Sequence, residues 1–259
     1  MRIARFTTGD EPGFGVVETT GDEPFVAEIV GDPLYQGLEL TGRRAALDNV
    51  RLLAPVIPRS KVVAVGRNYA DHAAELGNDV PAEPLLFLKP NTSVIGPGDP
   101  IAYPRQSSDV QFEGELAVVI GRICRDVPAD KAQEVIYGYT IGNDVTARDL
   151  QRKDGQFTRA KGFDSFCPLG PWIVTDLDVR DLAVTTELND EVKQSGRTSQ
   201  LVFDVPTLIA YITSVMTLLP GDVVLTGTPA GVGPMQPGDE VTVTVEGIGT
   251  LDNKVVSRD

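Results

Sequence analysis

Short apolar runs cut by Gly, Pro and Asp recur along the whole 259-residue chain, and only one stretch has the length and period of a good amphipathic helix. That imbalance constrains the fold more than any single motif. A doubly wound nucleotide-binding domain needs strands and helices in regular alternation, so the pattern excludes it and selects a β-rich α+β architecture. Strands are expected at 62–65, 85–88, 110–120, 135–141, 182–188, 223–225 and 240–246, the last with Val241, Val243 and Val245 alternating. The strong helix is expected at 206–218, opened by Asp204 and Pro206 and stopped by Pro220-Gly221-Asp222. A shorter one at 70–76 has Asn68 as its candidate cap, with Asp71 three residues on. Residues 1–58 read as a small β-rich N-terminal domain with apolar runs at 15–17 and 25–30. Residues 53–58 carry two prolines and form the candidate linker to a larger domain over 59–259.

Charge narrows the partners. With 23 Lys+Arg against 37 Asp+Glu the net charge is −14, and no basic run is present, which argues against nucleic acid. No apolar run is long enough to span a bilayer, and the first ten residues lack a signal-peptide pattern. Cys124 and Cys167 do not form a CxxC pair, so a reducing cytoplasm is the economical expectation, with Cys167 read as a small core residue. The single histidine, His72, means that any metal site is built mainly from carboxylates, which suit hard cations such as Mg²⁺ or Mn²⁺.

Several places can carry such chemistry. In Val110-Gln-Phe-Glu113-Gly-Glu115-Leu, strand alternation puts Phe112, Leu116, Val118 and Ile120 on one face and both glutamates on the other. Like charges there need a wet surface or a cation between them. A lone pair of this kind is most simply a solvated face, but Asp144, just past the strand at 135–141, supplies a third acid at a strand end. If the chain after Asp144 is helical, Arg148 and Gln151 fall on its side at i+4 and i+7, either as a surface ion pair or as a grip for an anion. His72 and Glu75 at i and i+3 form a possible general base, and Lys89 and Lys161 lie beside strand-end or Gly-rich turns. The loop from Thr226 to Gly233 offers backbone N–H groups to an anion, although it lacks a nucleotide-binding lysine.

Taken in order, VGRNYADHAAE (65–75), LFLKP (86–90), FEGELAVVIG (112–121), GYTIGNDVTARDLQ (138–151), RAKGFDSFCPLGPW (159–172) and LLPGDVVLTGTPAGVG (218–233) resemble the fumarylacetoacetate hydrolase family. The resemblance implies a mixed β-sandwich roll behind a small N-terminal domain, usually a homodimer. It implies Mg²⁺ or Mn²⁺ on Glu113, Glu115 and Asp144, and an acid/base pair in His72 and Glu75 on a lid, with Lys161 beside them in the catalytic set. Arg148, Gln151, Lys89 and Thr228 match substrate-contacting positions. Where larger hydrolases of the family carry a further metal-binding aspartate, this chain has the GRNYADH segment. That departure points to a three-carboxylate site and away from fumarylacetoacetate itself.

The expected function is a metal-dependent enzyme of aromatic or small-acid catabolism acting on 2-oxo or 2-hydroxy-dienoic dicarboxylic acids through an enolate. An isomerase of the 2-hydroxyhepta-2,4-diene-1,7-dioate type or an oxaloacetate-type decarboxylase is placed ahead of an acylpyruvate or fumarylpyruvate C–C hydrolase. A non-catalytic metal- or metabolite-binding protein on the same fold is the rival from another class. Phosphoryl hydrolysis would want more basic surface than the chain offers.

Overall fold

The computed structural model describes residues 1–9, 11–20 and 23–258. Its spine is a twelve-stranded sheet. From one edge ten strands run Leu40–Ala46, Glu23–Ile29, Gly13–Thr20, Arg2–Thr7, then Cys167–Val174, Ile136–Asn143, Gly114–Ile120, Val223–Leu225, Val62–Gly66 and Leu85–Lys89. Off this path, Arg51–Leu53 pairs with Arg2–Thr7 and Val94–Ile95 with Cys167–Val174. The N-terminal strands thus continue the central sheet, through pairing of Ile3 with Ile173, rather than closing on themselves. Pairing is antiparallel along this path except where Val223–Leu225 meets Val62–Gly66. A five-stranded sheet packs on it, ordered Glu191–Arg197, Ala183–Leu188, Glu240–Val245, Gly249–Ser257 and Ile101–Tyr103. A small third sheet joins Thr146–Ala147, Val110–Phe112 and Gly233–Pro234. This is the β-rich α+β class with mixed pairing that the sequence pattern selects.

The central strand Gly114–Ile120 is buried on both faces. Leu116, Val118 and Ile120 meet Val184, Val243 and Val245 of the second sheet and Leu208, Ile209 and Ile212 of the helix Val205–Val215. Ala117 and Val119 meet Val62, Ala64 and Val223 on the opposite side. Asp204 caps that helix, its carboxylate accepting from the Thr207 N–H at 3.0 Å. The helix stops at Val215, short of the Pro-Gly stop, because Leu218 leaves to pair with Cys124.

Two local expectations are corrected. The run 110–120 is two strands, Val110–Phe112 and Gly114–Ile120, in different sheets with Glu113 at the crossing. Phe112 therefore packs with Val145, Phe166 and Val241, not with Leu116. Asn68 does not cap the short helix Ala70–Glu75, whose cap position is Tyr69 without a side-chain bond. Its amide instead donates to the Phe203 and Thr226 carbonyls at 3.0 and 2.7 Å and accepts from Phe203 N–H at 2.8 Å.

The crossing depends on a missing side chain. A Cβ on Gly114 would lie 2.1 Å from Thr186 Oγ1 and 2.9 Å from Val243 Cγ1. Gly114→Ala is expected to lower stability by about 1–3 kcal/mol through overpacking, read as a shift in urea midpoint at constant slope. An unchanged midpoint would mean the two sheets are not in register-critical contact there.

Candidate active site

Glu113, Glu115 and Asp144 converge from the sheet crossing and the end of the neighbouring strand. Asp144 follows the last residue of Ile136–Asn143, and its N–H donates to the Glu113 carbonyl at 2.8 Å. One carboxylate oxygen from each acid lies within 4.8 Å of the other two, and all three side chains are buried. Three buried cations surround them. Arg148 Nη2 donates to Glu113 Oε1. Lys161 Nζ bridges Glu113 Oε2 at 2.8 Å and Asp144 Oδ2 at 2.5 Å. Lys89 Nζ reaches Asp144 Oδ1 at 2.5 Å and the Val145 carbonyl at 3.3 Å.

The compensation is uneven. Burial alone would raise the Glu113 carboxyl, but Lys161 and Arg148 outweigh it and hold the group well below the usual carboxylate range. Lys161 is raised, the pull of Asp144 and Glu113 overcoming the desolvation that would lower it. Glu115 touches no cation among the described residues. Its carboxylate accepts only the Gly227 N–H, at 2.6 Å. Burial, and then Asp144 and Glu113, push it well above its ordinary value. A divalent cation fits this donor set: three hard oxygens from three chain positions, with one carboxylate lacking a positive partner.

The cluster opens on a cavity of about 390 Å³, within the size range of small-molecule sites. Glu113, Glu115, Arg148, Gln151, Lys161 and Thr228 line it, with His72 from the short helix. His72 is 4% exposed, and its Nδ1 lies 3.3 Å from Glu75 Oε2. Both Glu75 oxygens also accept from the Gly231 N–H, at 3.0 and 3.2 Å. The backbone amides of the Thr226-to-Gly233 loop do serve anions, but the anions are the protein's own Glu115 and Glu75. Thr228 Oγ1 donates to the Gly114 carbonyl at 2.8 Å and accepts from Gln194 Nε2 at 2.7 Å.

Arg148 and Gln151 do stand together, with Nη1 donating to Gln151 Oε1 at 2.7 Å. Asp144 is not on their helix, however. The chain passes through Thr146–Ala147 first, and the helix Arg148–Asp154 starts at the arginine. Lys89 is turned to Asp144 and does not line the cavity. The geometry also adds residues that the motifs did not single out. Gln111 accepts from Arg148 Nε at 3.0 Å. Asn143 Oδ1 accepts from Glu113 N–H at 3.0 Å, and Gln194 Oε1 from Gly114 N–H at 3.0 Å. Cys167 is buried beneath the site, and burial raises its thiol to about 12, which makes it inert filling.

Residues 61–256 match the family model described as fumarylacetoacetate (FAA) hydrolase C-terminal, and residues 1–55 match an Rv2993c-like N-terminal model. A crystal structure of 5-carboxymethyl-2-hydroxymuconate delta-isomerase from Mycobacterium smegmatis is 55% identical with a TM-score of 0.93, covering all of both chains. Oxaloacetate decarboxylase of Dictyostelium discoideum is 46% identical, over 73% of this chain and 90% of its own. A fumarylpyruvate hydrolase from Pseudomonas aeruginosa, in complex with Mn²⁺ and pyruvate, is 35% identical with a TM-score of 0.74, over 78% of this chain and 91% of its own.

The strain on Glu115 has a readable sign. Its folded carboxyl holds a proton more tightly than the unfolded one, so metal-free stability is lost as pH rises from the ordinary value of 4.5 through the higher folded value. Glu115→Gln lacks this loss. In EDTA, the melting temperature of the wild type minus that of the variant is expected to fall as pH rises above the ordinary value of 4.5. Added Mg²⁺ should raise the wild-type value alone, and parallel pH curves would remove the electrostatic account of Glu115.

Proposed function

Because the chain belongs to the fumarylacetoacetate hydrolase family, we propose that it is a Mg²⁺- or Mn²⁺-dependent enzyme that moves a proton on small 2-oxo dicarboxylic acids. The reaction is keto–enol or double-bond isomerisation, or decarboxylation of an oxaloacetate-like acid. One observation carries this reading: a buried carboxylate trio with one uncompensated member faces, across a cavity sized for a small acid, a histidine held by a glutamate. Glu113, Glu115 and Asp144 would hold the cation. When bound, it would chelate the carboxylate and adjacent oxo oxygen of the substrate and draw electron density toward them.

The chain's own groups supply the rest. A carboxylate only accepts hydrogen bonds, so the His72–Glu75 pair leaves the hydrogen on Nδ1 and Nε2 bare for a proton. His72 is assigned as the base that takes a proton from the carbon beside the oxo group and returns it to oxygen or to a more distant carbon. In decarboxylation the C–C bond to the leaving carboxylate breaks, its electron pair moves toward the oxo group, and the carbon is then protonated. Glu75 keeps the imidazole oriented, and Gly231 keeps Glu75 in place. Lys161 and Arg148 hold Glu113 charged and offer their remaining N–H groups to the substrate carboxylate. Lys89 is assigned to position Asp144. C–C hydrolysis is the second reading, favoured by the likeness to the fumarylpyruvate hydrolase. It needs a water beside Nε2.

Oxaloacetate, an acylpyruvate and a hydroxy-heptadienedioate, each assayed with Mg²⁺ and with EDTA, separate the reactions by CO₂ release, cleavage and ultraviolet shift. An EDTA-sensitive signal on oxaloacetate or the dienoate is expected. Silence on all three would sink the enzyme reading, and cleavage alone would promote hydrolysis. His72→Ala should slow turnover by about 10²–10⁴ with Mg²⁺ affinity intact by calorimetry, whereas lost Mg²⁺ binding would make the histidine a ligand.

A further inference from the structure

Four permanently charged cations line the cavity among the described residues, and three are already committed. Arg148 is held by Glu113, Lys161 by Glu113 and Asp144, and Arg152 by Asp109 Oδ2 at 2.9 Å. Arg67 is the exception, with neither an ion pair nor a hydrogen bond to a described side chain. It is half-buried and lines the cavity, and no carboxylate among the described residues pairs with it.

Its backbone is unusual as well. Arg67 has φ of 58°, in the left-handed region that costs a branched or long side chain about 1 kcal/mol or more. The neighbours enforce it. On one side the strand Val62–Gly66 is locked between Val223–Leu225 and Leu85–Lys89. On the other, Asn68 is fixed by its three side-chain bonds, and its carbonyl accepts from Val202 N–H at 2.8 Å. Gly227 passes close enough that a Cβ on it would meet Asn68 Cβ at 2.7 Å. If only a turn were needed here, glycine or asparagine would make it with less strain. The arginine stands at this position for what its side chain reaches.

We propose that Arg67 binds the substrate carboxylate remote from the reacting 2-oxo group, and so makes the site select dicarboxylic over monocarboxylic 2-oxo acids. This rests on reading the cavity as a 2-oxo acid site. The other polar groups assigned to substrate already have partners: Thr228 with Gly114 and Gln194, Gln151 with Arg148. The free guanidinium fork is the group that a second carboxylate would engage bidentately.

Binding separates this from catalysis. The Mg²⁺-loaded protein is titrated calorimetrically with 2-oxoglutarate and with 2-oxopentanoate, which has a methyl in place of the remote carboxylate. The wild type is expected to prefer the diacid by roughly 10- to 100-fold. Arg67→Asn, which suits left-handed backbone and keeps the fold, should bring that ratio to about one by weakening the diacid alone, and Arg67→Lys should restore part of it. Equal binding of both probes to the wild type, or an equal loss of both in Arg67→Asn, would overturn the assignment. A protein that shows the Arg67-dependent preference but no EDTA-sensitive turnover keeps this inference and loses the enzymatic reading instead.

Discussion

Six charged side chains of alternating sign buried at one sheet crossing set the terms for the rest of the molecule. Each would be expensive to desolvate alone, by several kcal/mol, and becomes tolerable only with its partners in place. Glu113 and Glu115 come from the crossing, Asp144 and Arg148 from the next strand end and helix, Lys89 from the sheet edge, and Lys161 from the helix Thr158–Lys161. The packing of two sheets and several short helices is therefore bound up with one electrostatic requirement. The charges cancel in number but not in position, and the residue left over is Glu115. A cation is the simplest remedy, which is why a cluster that looks like a structural ion-pair network also reads as a metal centre.

The overall charge and the local one oppose each other. A chain at −14 repels small dianions over most of its surface. The cavity opposes this locally through Arg67, while Arg148, Arg152 and Lys161 on its walls are paired with carboxylates.

Several strands were readable because alternation and turn residues are local signals, and 223–225 is placed to the residue, whereas Cys167–Val174, Glu191–Arg197 and Gly249–Ser257 were not singled out. Glu113, Glu115 and Asp144 were readable because strand ends and like-charge pairs are visible in one dimension. The change of sheet at Glu113 was not, since nothing local marks where a chain leaves one sheet for another. Nor was the work of Asn68, which looks like a helix cap until Phe203 and Thr226 are seen to lie against it. Gln194 gave no signal at all: it sits in an ordinary strand, and its importance lies in reaching Gly114 and Thr228 from another sheet. Arg67 lay inside a recognised segment, but its left-handed backbone and its lack of a partner are properties of three dimensions only.

The loop from Thr226 to Gly233 grips two carboxylates a few residues apart, Glu115 through Gly227 and Glu75 through Gly231. On the proposed reading, an ion held by Glu115 would compete with the Gly227 amide for the same electron density, which would link ion occupancy to loop posture. Such linkage is reciprocal. Whatever tightens the loop on the helix bearing His72 would then also change the grip on an ion at Glu115, coupling the proposed base to the proposed metal.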